Sequence, residues 1–433
     1  MTEENAEQTR RGDDCVTVVL TADNHLGYTA FGQQFQKREA YQQRLRRAFQ
    51  QATDFAVGQG VDLFVQAGDL FDTTEPLERD RGFVATRLAQ LRHAGVRVFA
   101  LGGTHDTPPE SHSSTGETSP APQISYANVG VMHYLAPNVT ELEPVLVTIR
   151  NIPVGICGLG VLAGQEGNPL TRVRVQGDIE RAAIPILVLH APIEGLSSGT
   201  SLLDTRAQVT RASIENQSAF RYILAGYHHS HRHLRIGQCD VIVAGATQHI
   251  DLSNPVEEPG FVFLGLARDG VRWCKHIAVD ALALQRLVIR TGELWPDDSS
   301  DESDSPMPPT PTATILERLR PLCDEQTMIQ LRLEGELTRT QYHQLDLNQI
   351  RRYGAEHCFS LAIDDSGLAI VSENEAIAVE TGERLSPREE LIVLAEEWIA
   401  QAIDEREQKA LLATKEELLL ALDDVKSSRR SRE

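Results

Sequence analysis

Short apolar runs alternate with amphipathic stretches through the first half of the chain. Val16 to Leu20 is a β-branched run that ends at Thr-Ala-Asp, and a helical pattern follows from about Lys37 to Gln59. Val61 to Gln66 repeats the theme and ends at Ala-Gly-Asp, Arg79 to His93 reads as an amphipathic helix, and Val96 to Leu101 ends at Gly-Gly-Thr-His-Asp. Two further runs, Ile184 to Leu189 and Tyr222 to Ala225, end at His190 and at Gly226-Tyr227-His228-His229-Ser230-His231. Val241 to Ala244 and Phe261 to Leu266 alternate as antiparallel edge strands do. Strands that alternate with helices predict a layered α/β core, with polar loops delivered at the carboxyl ends of the strands, where open α/β sheets place their sites.

The second half changes character. Trp295 to Pro311, "WPDDSSDESDSPMPPTP", has almost nothing to bury and predicts a solvated loop. Ile329 to Leu333 and Phe359 to Ile363 predict strands around a helical stretch, Thr340 to Tyr353. Ser386-Pro387-Arg388-Glu389 combines an N-cap serine, a proline at the first helical position and a glutamate three residues after the cap. Leu391, Leu394, Trp398 and Ala402, then Leu411, Leu412, Leu418, Leu419 and Leu422, continue as apolar stripes at helical spacing. The expected organisation is a disordered segment 1–14, a first domain 15–280, a small α+β domain 281–380 with an acidic Pro/Ser-rich loop 296–311, a helical tail 384–424 and a disordered end 425–433.

At 433 residues and 41% apolar content the chain is long enough for two or three packed domains. No run reaches the roughly 20 apolar residues that cross a bilayer, and the polar start is unlike a signal peptide, so a cytoplasmic protein is expected. Six cysteines without a C-x-x-C pair predict buried thiols rather than a disulfide framework or a zinc knuckle. A formal charge of −21 argues against whole-surface attraction to nucleic acid, although local basic patches still bind phosphates. Arg38, Arg44, Arg46 and Arg47 are such a patch or an ordinary solvated helix face.

The strand ends present Asp23-x-His25, Gly68-Asp69, His105-Asp106, His190 and the cluster His228, His229, His231. Carboxylate oxygens and neutral imidazoles are ligands of Mn²⁺, Fe²⁺ or Zn²⁺, and a bridging carboxylate holds two such ions at the spacing used in phosphoryl hydrolysis. One such histidine is more often an ordinary surface or core residue; five strand ends carrying the set together predict a metal site.

"ADNHLG" (Ala22 to Gly27), "AGDLFD" (Ala67 to Asp72), "GGTHD" (Gly102 to Asp106), "LHAPIEG" (Leu189 to Gly195) and "AGYHHSH" (Ala225 to His231) occur in that order. They resemble the five motifs of calcineurin-like metallophosphoesterases, and more narrowly the SbcD-type DNA repair exonucleases. The resemblance covers residues 15–280 well; "DNHLGYTAFG" and "GFVFLGL" (Gly260 to Leu266) are similar to the narrower group. It implies a four-layer α/β/β/α sandwich with a small α+β capping domain and a helical tail. It also implies two Mn²⁺ ions, hydrolysis of phosphodiesters near DNA ends, a homodimer, and an SbcC-like ABC-type ATPase bound by the tail. By the same resemblance Asp23 and His25 serve the first metal, Asp69 bridges, His190 serves the second, and His105 is the general acid or orients the phosphate. Asp72 and Asp106 either orient ligand histidines or form salt bridges.

Two positions depart from the family pattern. Thr104 stands where the family has an asparagine, and registering Gly-His-x-His on Gly226 puts Tyr227 at the first histidine and His229 at the second. Both departures fall on the second metal. Three readings follow: a second metal bound weakly, with the Thr104 hydroxyl or a water in place of the amide; a loop slipped by two residues, so that His229 and His231 form the pair; or a single-metal site on a catalytically weakened scaffold that binds DNA ends or an ATPase. A phosphoesterase acting on a small phosphodiester is a further alternative.

Overall fold

The computed structural model describes residues 14–29, 35–108, 120–161, 165–196, 207–250, 258–295, 310–371 and 414–415. The chain divides into two compact units, Met1–Gly335 with Gln344–Leu368, and Glu336–His343 with Ala369–Glu433. Most of the second unit, with the expected tail 384–424 and the end 425–433, lies outside the described residues, as do 1–13 and 296–309.

The strands in chain order are β1 (Cys15–Thr21), β2 (Leu63–Ala67), β3 (Arg97–Leu101), β4 (His133–Leu135), β5 (Glu141–Leu142), β6 (Val145–Ile149), β7 (Ile152–Gly160), β8 (Arg174–Val175), β9 (Ile184–His190), β10 (Tyr222–Gly226), β11 (Arg232–Ile236), β12 (Cys239–Val243), β13 (Gly260–Ala267), β14 (Gly270–Ala278), β15 (Ala283–Arg290), β16 (Thr327–Thr338) and β17 (Ser360–Val371). One six-stranded sheet has the order β14-β13-β1-β2-β3-β4 and a second the order β11-β12-β10-β9-β7-β6; β5 and β8 form a separate pair. β1, β2, β3 and β4 run parallel, as do β7, β9, β10 and β12. Every residue of β1, β2 and β10 is buried, which is why these segments are continuous apolar runs rather than alternating ones.

Between the sheets Val18, Leu20, Val65 and Phe99 meet Ile156, Ile186, Val188 and Leu224 in one cluster. On the outer face of the first sheet, Val19, Phe64 and Val98 pack against helix α1 (Phe35–Gln59) through Leu45 and Phe49, and against helix α2 (Glu78–His93) through Val84, Leu88 and Leu91. The outer face of the second sheet, with Leu187, Ile223 and Val241, is covered by Ile179, Ile193, Val209 and Ile214. Those residues come from 3-10 turns, loops and the short helix Arg211–Asn216. Burying each large side chain of these clusters stabilises the fold by roughly 1.5–3 kcal/mol.

A third sheet, β15-β16-β17, carries its own core with helices α3 (Pro311–Leu319) and α4 (Leu347–His357), where Ile289, Ile315, Leu331 and Ile350 meet. It is tied to α1 by the Lys37 ammonium, which donates to the carbonyls of Ala355 (2.6 Å) and Cys358 (2.8 Å). Among the described residues no helix is long and apolar enough to cross a membrane.

Several expectations are corrected. β12 and β13 are not edge strands: β12 lies parallel to β10 and inside β11, and β13 lies between β1 and β14. The edge strands beside them, β11 and β14, are half-exposed and interrupted by polar residues, so they lack the apolar run that marks a buried strand. The single helix expected over Thr340 to Tyr353 is two, Arg339–Gln344 and α4, because Asp346 caps α4 by accepting from the Gln349 amide at 2.8 Å. Cys323 and Cys358 are joined as a disulfide, not kept as buried thiols; they lie 35 residues apart in sequence, and only the packing of the third sheet brings them together. Of the arginines, Arg46 is held at 2.8 Å by Asp80 and at 3.3 Å by Glu39, and Arg47 lies 3.3 Å from Asp280, so both are engaged in ion pairs.

Candidate metal centre

The carboxyl ends of the central strands of both sheets finish level. Thr21 stands beside Gln66, Ala67 beside Leu101, and His190 beside both Gly160 and Gly226. The loops after β1 and β2 are zipped together: the amides of Asp23, Asn24, His25 and Leu26 donate to the carbonyls of Gly68, Asp69, Asp69 and Leu70 at 2.9–3.1 Å. Asp23, His25, Asp69 and Tyr227 all adopt positive φ (48°, 43°, 53° and 78°). Non-glycine residues occupy that region at a cost of about 1–3 kcal/mol each, so the surrounding hydrogen bonds hold the loops against strain.

Two glycines make the approach possible. A Cβ at Gly68 would strike the His190 ring, and one at Gly103 would strike the Asp69 backbone and carboxylate. Each motif's glycine is therefore required by a side chain delivered from a different strand.

Three constellations result, each with its potential ligand atoms within 4.8 Å of one another: Asp23, His25 and His229; Asp23, Asp69 and His190; and His25, Asp72 and His105. Asp69 Oδ2 lies 3.2 Å from His190 Nε2 and 3.9 Å from His25 Nε2, between the two imidazoles. The second ring nitrogens are engaged: His25 Nδ1 meets Asp72 Oδ1 at 3.0 Å, and His190 Nδ1 meets the Ala67 carbonyl at 2.9 Å. A ring nitrogen that donates to an oxygen leaves the other with its lone pair free. His25 Nε2 and Asp23 Oδ2 are buried without a hydrogen-bond partner, and His190 Nε2 is buried against the Asp69 carboxylate. Buried polar atoms are normally satisfied, so these atoms, set among the Asp23 and Asp69 carboxylates, fit bound cations.

The electrostatics follow from burial and crowding. Burial pushes the Asp23 carboxyl up to about 6 against the pull of His190. Burial would lift Asp69 as well, but His190 and His25 bring it well below the usual carboxylate range. Burial alone lowers His190; the Asp69 charge and hydrogen bond reverse that and carry it to about 9.

His105 stands at the mouth, its side chain half-exposed, with Nδ1 3.6 Å from Asp72 Oδ1 and its ring 4.7 Å from that of His25. Its amide donates to Asp69 Oδ1 at 2.8 Å, and the Thr104 hydroxyl donates to Asp69 Oδ2 at 3.3 Å. The Tyr227 amide donates to Asp23 Oδ1 at 3.1 Å, and the Tyr227 ring lies 5.6 Å from that of His190.

The slipped-loop reading is corrected. His229, not His231, joins Asp23 and His25; His231 Nδ1 meets the Val243 carbonyl at 2.7 Å and its ring stacks on His276. Among the described residues Asp106 hydrogen-bonds to no histidine. It accepts from the amides of Gly103 (2.8 Å) and Phe71 (3.2 Å) and from Gln123, stitching the loops after β2 and β3, while burial raises it to about 6. Sequence reasoning missed Asn24 and Gln66, both fully buried. Asn24 Nδ2 donates to Thr21 at 2.8 Å, and Gln66 Nε2 donates to the Gly68 carbonyl at 2.8 Å. Polar residues inside or just after apolar strands were the available signal.

Over 91 residues the chain is 30% identical to the DNA double-strand break repair protein Mre11 of Sulfurisphaera tokodaii, which is 21% of this chain and 22% of that protein. Over 92 residues it is 30% identical to the protein of the same name from Methanosarcina mazei, 21% of this chain and 14% of the other. The similarity thus spans less than a quarter of either relative's length. A dimetal phosphatase from Danio rerio aligns over 61% of this chain and 99% of its own at 12% identity, with a TM-score of 0.32. Residues 16–245, more than half of the sequence and all five motif loops, match the calcineurin-like phosphoesterase family, and the chain belongs to it.

Proposed function

We propose that the chain is a metal-dependent phosphodiesterase that acts on DNA ends as the nuclease subunit of an SbcCD-like repair complex. The observation that carries the reading is the gathering of three buried ligand atoms, Asp23 Oδ2, His25 Nε2 and His190 Nε2, around the Asp69 carboxylate. Asp23, His25 and His229 would hold one cation, Asp69 would lie between two, and His190 would serve the other; Mn²⁺ suits this set of oxygen and imidazole donors. A cation held there supplies Lewis acidity, which lowers the pKa of water and offsets the charge of the phosphate.

The chain's own residues do the rest. Asp72 and the Ala67 carbonyl fix the His25 and His190 tautomers, and Asp69 stays ionised. His105, half-exposed and facing Asp72, is placed to orient the phosphate or to hand a proton to the leaving oxygen. DNA as substrate follows the DNA double-strand break repair named in the Mre11 relatives; the homodimer and the ATPase partner at the tail follow from the resemblance to SbcD-type exonucleases. With a formal charge of −21, DNA affinity would come from that partner or from a local basic groove. The altered flank at Thr104 and Tyr227 favours one second reading, a catalytically weakened scaffold that binds DNA ends.

Manganese-dependent cleavage of linear DNA separates the two. The nuclease reading expects cleavage by the wild type and a loss of about 100-fold or more in His105→Ala and Asp69→Ala, the scale of a removed acid–base group. Wild-type protein that binds DNA ends without cutting them would leave the scaffold.

A further inference from the structure

We propose that this centre keeps one divalent cation at rest and acquires a second only together with a phosphate group, so that occupancy of the His190 side depends on substrate. The inference rests on the phosphoesterase reading and concerns how that same site is regulated.

The donors are unevenly shared. On one side stand two imidazoles, His25 and His229, with Asp23 among them and Asp69 3.9 Å from His25. On the other side Asp23 and Asp69 serve again, and the donor belonging to that side alone is His190. Its neighbours add little. The Thr104 hydroxyl is turned onto Asp69 Oδ2 at 3.3 Å, and a neutral alcohol is a weak donor to a hard dication in any case. Tyr227 contributes its amide to Asp23 and stacks its ring edge-on 5.6 Å from His190.

The other histidines of this loop, His228 and His231, are committed elsewhere. His228 Nε2 accepts the Ile193 amide at 2.8 Å, which aims that ring at the β9 loop rather than at the carboxylates. His231 is held by the Val243 carbonyl. Among the described residues, the His190 side therefore offers one imidazole and two carboxylates already needed by the first cation.

Two dications beside two shared carboxylates leave positive charge uncompensated and coordination positions unfilled. A phosphate group remedies both at once: its oxygens are hard, anionic donors able to span two ions. Cation and phosphate then bind with positive coupling, and linkage makes the coupling reciprocal.

The test uses the full-length protein, Mn²⁺ and inorganic phosphate, with stoichiometry followed by calorimetry and spin coupling by EPR. The expected result is one equivalent of Mn²⁺ bound tightly without phosphate. Phosphate then tightens a second by about 5- to 150-fold, the usual range of coupling, and an exchange-coupled signal appears only with phosphate. Phosphate affinity should rise by the same factor between one and two equivalents of Mn²⁺. The double variant Thr104→Asn, Tyr227→His is expected to take two equivalents without phosphate; should it fail to fold, the wild-type phosphate titration decides alone. Two equally tight equivalents in phosphate-free wild type, or a second equivalent indifferent to phosphate, overturns the proposal while leaving the phosphoesterase reading intact. No Mn²⁺ binding at all overturns both.

Discussion

Removing the Asp72 carboxylate tests whether the metal ligands owe their readiness to residues one step further out. Asp72 Oδ1 stands 3.0 Å from His25 Nδ1, where it hydrogen-bonds and orients that ring, and 3.6 Å from His105 Nδ1. Burial by itself lowers the His25 pKa, and the Asp72 hydrogen bond with the nearby Asp69 charge reverses this. In Asp72→Ala nothing pins the proton to Nδ1. The tautomer with its proton on Nε2, where the lone pair must point, becomes accessible, and the ring gains freedom to rotate. Loss of such a support costs about 10- to 100-fold in metal affinity, or about 1.4–2.8 kcal/mol. Global stability should change less, because the Asp72 side chain is 19% exposed and its hydrogen bond is worth about 0.5–1.5 kcal/mol net. The assay is calorimetric titration with Mn²⁺ of wild type, Asp72→Ala and Asp72→Asn, alongside thermal unfolding. Asp72→Asn retains an acceptor oxygen and should fall between the other two. A dissociation constant in Asp72→Ala within twofold of wild type, in a protein that unfolds normally, would refute the orienting role.

Two further outcomes are expected. Because the metal-free His190 sits near pKa 9, it carries a proton at neutral pH that a cation entering its side of the centre must displace; affinity for the second Mn²⁺, measured with phosphate present, should therefore climb about tenfold per pH unit from about 7 and level off above 9, and a pH-independent affinity over that window would contradict the arrangement. Thiol titration of unfolded, unreduced protein should find four free cysteines (Cys15, Cys157, Cys239 and Cys274) and six after reduction, with reduction of the Cys323–Cys358 bridge lowering stability by about 3–4 kcal/mol on the loop-entropy scale; six thiols before reduction would remove the bridge.

What the sequence determined by itself is local. Buried parallel strands must be apolar on both faces, so β1, β2, β3, β9 and β10 announce themselves as short apolar runs, and their polar ends mark where a site is built. The half-exposed β11, β14 and β15 carry no such run and were invisible or misplaced. The tertiary structure decided everything that depends on distance across the chain. Tyr227 turns at positive φ just where β10 ends level with His190, and that turn sends His229 to Asp23 and His25, His228 to the Ile193 amide and His231 to the Val243 carbonyl. Three near-adjacent histidines are equivalent as letters; only strand register and backbone handedness distinguish them. Asp106 likewise reads as one more carboxylate near a ligand, yet its partners are backbone amides brought to it from Phe71 and Gly103. Periodicity records which face of an element is buried, because burial acts on each residue in place. It holds no record of which atoms meet, because that is settled by packing between segments far apart in the chain, 204 residues for Asp23 and Tyr227 and 321 for Lys37 and Cys358.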